Sequence, residues 1–350
     1  MTETCWQGKG GQTLRTFGIV LLFLGIALVT ACGEGEEAAT PTAVPTSPTP
    51  LPTSSTAPTV TPATPVGTAE AIPMGKIAFS SRRDGNGEIY LLTPEGETNI
   101  TNNPAEDAES DLSPDGSKIA FASDRDGSFH IFVVNVDGTG LVKLTNEDAG
   151  DLSPRWSPDG KRIAFSRVGA IYVMDSDGTN VQRVTDPKPE ATAPPCEAGG
   201  FLGTWSPDGK QLTFYAASAT RGLGQVCIVD VDGSNLTVVA SEPPAYHVEP
   251  AWSPDGEWIA YRFIDEGPSP ASEDDNHEIY VVKPDGTSRT NLTNDPATDI
   301  EPDWSPDGEW IVFGSDRSDV FDLYIMRADG SDVTRVTASS GKDSDPSWQR

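Results

Sequence analysis

The residues able to do chemistry sit in short charged clusters. Arg82-Arg83-Asp84-Gly85, Asp124-Arg125-Asp126-Gly127 and Asp316-Arg317 repeat one theme. A guanidinium offers a two-pronged donor fork to a carboxylate, so Arg82, Arg125 and Arg317 are candidates for holding a partner's acidic side chain or carboxyl terminus. The same Asp/Arg pairs can instead order their own loops. A second cluster, Asp265-Glu266 and then Glu273-Asp274-Asp275, would attract cations or basic groups. Asp84, Asn86 and Glu88 place oxygen ligands at alternate positions, a hint of Ca2+, but the sixth-position glycine of an EF-hand loop is missing. No cofactor is otherwise expected.

A catalytic constellation is harder to find. The three histidines, His130, His247 and His277, share no zinc-type spacing. There is no Gly-x-Ser-x-Gly elbow and no glycine-rich phosphate loop ahead of a helix. The chain is therefore expected to bind rather than to catalyse. The alternative is a carbohydrate-active protein, a lyase or glycosidase working through a carboxylate pair, or a cell-wall glycan-binding module. A formal net charge of −29 repels nucleic-acid phosphates and anionic lipid headgroups, so neither is an expected partner.

These clusters belong to a repeat. Ser-Pro-Asp-Gly starts at Ser113, Ser157, Ser206, Ser253 and Ser305, at spacings of 44, 49, 47 and 52 residues. A tryptophan precedes four of the five copies, at Trp156, Trp205, Trp252 and Trp304. After each turn comes an apolar run such as Ile119-Ala-Phe121, a second run such as Ile131-Phe132, a glycine turn such as Asp137-Gly138, and a short run ending near Thr145. Branched and aromatic residues in runs this short suit strands, and proline, aspartate and glycine supply the turn chemistry. Four-stranded units of this length describe an all-β, six-bladed β-propeller over residues 74–350. The first repeat, opening at Ile77-Ala-Phe79, lacks its first strand, and Asp345-Pro-Ser-Trp-Gln349 supplies an orphan copy of it. A ring closes in this way and removes its exposed edges, whereas an open array has no reason to split a unit.

The pattern of Pro, Trp, Ser-Pro-Asp-Gly, Ile-Ala-Phe, Ile-Tyr, Asp-Gly and Leu-Thr resembles the WD40-like repeat of TolB propellers, across the whole region from about residue 74 to 350. The resemblance implies a cell-envelope protein that works by protein–protein contact. Some TolB-like propellers resemble oligogalacturonate lyases, which use histidine metal ligands that this chain does not visibly assemble. The departure is at the amino end, where TolB carries an α/β domain and this chain has something else.

There, Lys9 and Arg15 precede a thirteen-residue apolar run from Phe17 to Val29. A membrane-spanning helix needs about 20 apolar residues, and thirteen is the length of a signal-peptide core. Val29-Thr30-Ala31-Cys32 resembles the lipobox of bacterial lipoproteins, which implies removal of residues 1–31 and lipidation of Cys32. Residues 32–73 are rich in Thr, Pro, Ala and Ser, lack a hydrophobic period, and read as an extended, disordered spacer. The expected product is an exported monomer, anchored by Cys32 alone to the outer face of the cytoplasmic membrane or the cell envelope, with an envelope protein or peptide as its partner. Cys196 and Cys227 have the option of one disulfide in such an oxidising compartment. Within the propeller, the short turns share one rim and the variable loops the other, which makes the loop rim the expected binding face.

Overall fold

The computed structural model describes residues 75–349 except 189–195, 198, 219–222, 243–244 and 266–275. Residues 1–74, with the apolar run, the spacer and Cys32, lie outside the described residues, as do Glu266, Asp274 and Asp275.

Six four-stranded antiparallel sheets make six blades, each ordered first strand to fourth. The first strands of successive blades contact one another in an unbroken cycle, so they form the inner wall of a ring. Blade 1 is the split one. Its first strand is Asp343–Trp348, paired with Ile77–Ser81 in the register Ile77↔Trp348 and Ser81↔Asp343. Trp348 is 1% exposed and packs with Ile77, Phe79 and Tyr90. The seam is latched sideways as well: the Leu112 amide of blade 2 donates to Ser347 Oγ at 3.2 Å, and Ser347 Oγ donates to Asp111 at 2.9 Å.

Local chemistry explains why every repeat folds alike. In each Ser-Pro-Asp-Gly turn the serine hydroxyl donates to the aspartate two residues on and accepts the amide five residues on, as Ser157 does with Asp159 at 2.7 Å and Arg162 at 3.0 Å. Hydrogen bonds from Ser113 and Ser117 hold the Asp115 carboxyl down at about 2. At the second turn, Gly233 has φ +84°, and a Cβ there would meet the Val184 carbonyl of the previous blade at 2.6 Å. Only glycine satisfies both conditions. The threonines that end each repeat finish the sheet with a side chain: Thr101, Thr145, Thr185, Thr293 and Thr337 each accept an amide of the third strand at 2.9–3.0 Å. Between blades lie apolar layers, such as Ala120, Ile131, Trp156, Ile163 and Phe165, all buried.

Candidate functional site

The loop rim is built on a clamp. In blades 1, 2 and 6 an arginine four residues past the second-strand phenylalanine turns back over the aromatic pair. Arg83 lies 4.4 Å from the Tyr90 ring centroid, Arg125 4.8 Å from Phe132 and Arg317 5.0 Å from Tyr324. Each Nε donates to a serine at 2.8 Å, namely Ser81, Ser123 and Ser315. Each Nη2 reaches both oxygens of an aspartate that opens the first strand: Asp343 at 3.0 Å, Asp107 at 3.0 and 3.1 Å, and Asp299 at 2.9 Å. Blade 3 has a shorter loop, so Arg167 takes the serine's own position on the strand and pairs with Asp151 at 2.6 and 2.9 Å. All four aspartates are 0% exposed. Burial raises the Asp299 pKa, and Ser315 and Arg317 pull against it. Stacking, ion pairing and hydrogen bonding thus converge on one arginine per blade.

This geometry redistributes the residues singled out in the sequence. Arg125 and Arg317 spend their forks on aspartates of their own blades, and in blade 1 that work falls to Arg83. Arg82 stays more open, pairing across to Glu106 of blade 2 at 2.7 Å with 41% of its side chain exposed. Asp84 accepts from Tyr90 and, at 3.0 Å, from Asn99. Glu88 is closed in by Asn86, Thr101 and the Asn103 amide, so Asp84 and Glu88 belong to separate hydrogen-bond networks in this structure. Asp124 and Asp316 accept the amides of Glu106 and Thr298 at 2.9 and 2.8 Å, ordering the neighbouring loops. Asp126 pairs with Lys143 at 2.9 Å, and Asp265 is exposed at the tip of its strand. Among the described residues, no group of three or more His, Cys, Asp and Glu is arranged to hold a metal ion.

Sequence reasoning missed the inner wall. Each first strand carries a bulge, marked by a register shift. Three residues before the closing Leu112 or tryptophan, Glu109, Ser153, Glu249, Glu301 and Asp345 hold positive φ there, from 51° to 55°, whereas blade 4 has Leu202 at this place and its irregularity falls after it. Four of the six positions are acidic. Each glutamate reaches forward to the next blade: Glu109 accepts the Ser153 amide at 2.6 Å, Glu249 that of Glu301 at 3.0 Å, and Glu301 that of Asp345 at 2.6 Å. Burial first, then the Asp345 charge, pushes the Glu301 carboxyl up to about 8, with Lys342 opposing. Glu109 is raised by burial and by Asp345. Tyr215 is raised by burial, then by Glu249 and Glu109. Arg262 faces this wall, bonded to Glu249 and His277 at 2.8 Å each. A signal was present: an acid directly before proline, three residues ahead of tryptophan, in Glu249-Pro250, Glu301-Pro302 and Asp345-Pro346. Proline inside a strand marks a bulge.

Blades 4 and 5 abandon the clamp. In blade 4 the aspartate position is Gly200, where a Cβ would lie 1.8 Å from the Tyr215 carbonyl. The residue paired with Phe214 is Cys227, where other blades have an aromatic ring, and it is bonded to Cys196 at an S–S distance of 1.95 Å. The optional bridge is thus formed, in the place where the other blades keep their aromatic and ionic clamp. In blade 5 His247 stands at the aspartate position, and Arg289 covers Phe263 and Tyr280 at 4.5 Å from a different strand.

The comparisons agree with this architecture. The TolB beta propeller domain family (PD40) matches residues 70–170 and 168–350. The Tol-Pal system protein TolB of Anaeromyxobacter dehalogenans (strain 2CP-C) is 30% identical over 119 residues, 24% of this chain and 27% of that protein. The chain therefore spans about a quarter of the length of the curated relatives it matches. The crystal structure of TolB from Acinetobacter baumannii superposes with a TM-score of 0.63 at 20% identity, covering 79% of this chain and 66% of that one. A putative TolB from Agrobacterium tumefaciens gives 0.59 at 22%, covering 77% and 91%. The likeness of the solved structures is one of fold. With the family matched across almost all of the propeller, the chain belongs to the TolB β-propeller family.

Proposed function

We propose that this chain is a non-enzymatic binding propeller of the cell envelope, exported and tethered by a lipidated Cys32, whose inner wall receives a cationic group of a protein partner. The observation that carries this reading is the acid set Glu109, Glu249, Glu301 and Asp345, contributed by four blades, in which burial and then the Asp345 charge raise the Glu109 and Glu301 carboxyls. An ammonium or guanidinium entering there would relieve that mutual repulsion. Family membership and relatives named as Tol-Pal system proteins support an envelope protein as partner. The chain is proposed to act as a monomer, which light scattering would check.

Capture from the source membrane with the full-length chain tests the reading. A specific envelope protein retained by the wild type, and lost with the double variant Glu249→Gln/Glu301→Gln, supports it. Identical partners on both, or capture of glycans alone, sinks it. Cys32→Ser should move the chain from the membrane to the soluble fraction.

One observation favours a second reading. A carboxyl group that keeps its proton near neutral pH, beside other carboxylates, is the equipment of a glycoside-cleaving acid. Turnover of an acidic or neutral oligosaccharide that disappears in Glu301→Gln would favour that chemistry over binding.

A further inference from the structure

Blade 5 contains a second polar site that uses none of the inner-wall acids. Between the last strand of blade 4 and blade 5 lies a pocket of about 160 Å³, lined by Ser241, Glu242, His247 and Arg289 together with the small apolar residues Val239 and Ala240. One water needs only about 10–15 Å³ of such space, so a single bridging water does not fill it.

The polar groups around it are incompletely satisfied. His247 is 0% exposed, and its Nε2 accepts the Glu242 amide at 3.1 Å. In a neutral imidazole the proton then resides on Nδ1, and buried Nδ1 has no hydrogen-bond partner. Arg289 Nε and the Tyr261 hydroxyl are likewise buried, and they neighbour one another without a well-formed hydrogen bond. His247 packs 5.4 Å from the Tyr261 ring and 5.3 Å from Phe263, and Arg289 covers Phe263 at 4.5 Å, so the unsatisfied atoms belong to one aromatic-walled corner. Burial first, then the neighbouring Arg289 charge, holds the His247 pKa down at about 4, which keeps the ring neutral and its Nδ1–H a donor. Where blades 1, 2, 3 and 6 present a carboxylate to an arginine, blade 5 presents donors and lacks the acid at that strand position. Among the described residues, the carboxylate that reaches Arg289 is Glu242, whose side chain is 65% exposed.

We propose that this pocket is a carboxylate-binding site: an incoming carboxylate takes Arg289 and the His247 Nδ1–H as donors, and Glu242 is the internal carboxylate it displaces. The carboxylate arrives either as a small free acid or as the terminus of a peptide. The displaced Glu242 swings into solvent, which its exposure allows.

Nitrogen NMR of the His247 imidazole and Arg289 guanidinium in the full chain tests this, with acetate as the free-acid probe. A short peptide with a free carboxyl terminus, compared with its amide, tests the other source. Saturable shifts of both resonances are expected. Glu242→Gln should tighten acetate binding by roughly fivefold or more. Arg289→Lys, which keeps charge and stem but loses the fork, should weaken it, and Arg289→Gln should abolish it, with the remaining spectrum reporting an intact fold. Binding of the peptide but not acetate assigns the site to chain termini. The absence of shifts with either probe, or equal affinity in wild type and Glu242→Gln, would overturn the proposal. Because this site shares no residue with the acid set Glu109, Glu249, Glu301 and Asp345, its failure leaves the envelope-binding reading standing.

Discussion

Blades 1, 2, 3 and 6 close their loop-side corner with an arginine laid on an aromatic pair and tied to a buried aspartate, whereas blades 4 and 5 fill the same corner with a disulfide and with a histidine. The first group uses reversible, charge-assisted contacts that every copy repeats. The second group breaks the repeat in adjacent blades, and these blades also carry the longest strands, eight residues in Gln211–Ser218 and Leu223–Asp230. The difference teaches that the ring is held by four equivalent corners, while the two exceptional ones have been released to carry other chemistry. The pocket beside His247 occupies the site of that release.

The comparison can be broken most severely at a regular corner. Asp299→Ala leaves Arg317 buried without its partner, and unfolding in denaturant should show a loss of about 3–5 kcal/mol. Blade 4 should respond instead to its covalent link, which spans 31 residues: Cys196→Ala/Cys227→Ala should cost about 2–4 kcal/mol relative to the oxidised wild type and little relative to the reduced one. Thr145→Val removes the acceptor of the Ile131 amide inside a regular blade, and about 1–3 kcal/mol should be lost. Blade 4 already has Val239 near the corresponding place, so Val239→Thr should not return an equal gain.

The inner wall sharpens the contrast through pH. The Glu301 carboxyl is raised from its ordinary value to about 8, so the folded state holds a proton that the unfolded state releases near 4.5. Its contribution is fully present below pH 4.5 and is lost as pH rises towards 8. Glu301→Gln should flatten that slope and stabilise the protein above pH 8, by about 1 kcal/mol or more, as thermal unfolding across pH 5–9 would show. The smallest effect belongs to the exposed pair: Arg82→Ala should change stability by less than about 1 kcal/mol.

Much of the fold was legible because the turns are local. Ser-Pro-Asp-Gly announces itself in four residues, and the orphan Trp348 revealed the seam. The clamp was less legible. Arg125 reads as a fork for a partner's carboxylate or as a loop-ordering charge, since its partner Asp107 lies 18 residues earlier, and only the pairing of two strands brings the two together and buries that aspartate. The bulged acids were hidden for a similar reason. Glu249 and Glu301 stand 52 residues apart and meet only because consecutive blades face one axis. The acid-before-proline spelling was there to be read, but alternation along a strand does not indicate which residue a bulge turns inward.

The seam also has a kinetic consequence. Ser81 and the Asp343 that accepts its hydroxyl are 262 residues apart, on the order of tens of seconds of synthesis at about 5–20 residues per second. Throughout that interval the Ile77–Ser81 strand has an open flank of unpaired amides and carbonyls, the template on which misassembly begins. The ring therefore cannot close until its last strand is available, and its earliest strand keeps an unpaired edge until that distant complement arrives.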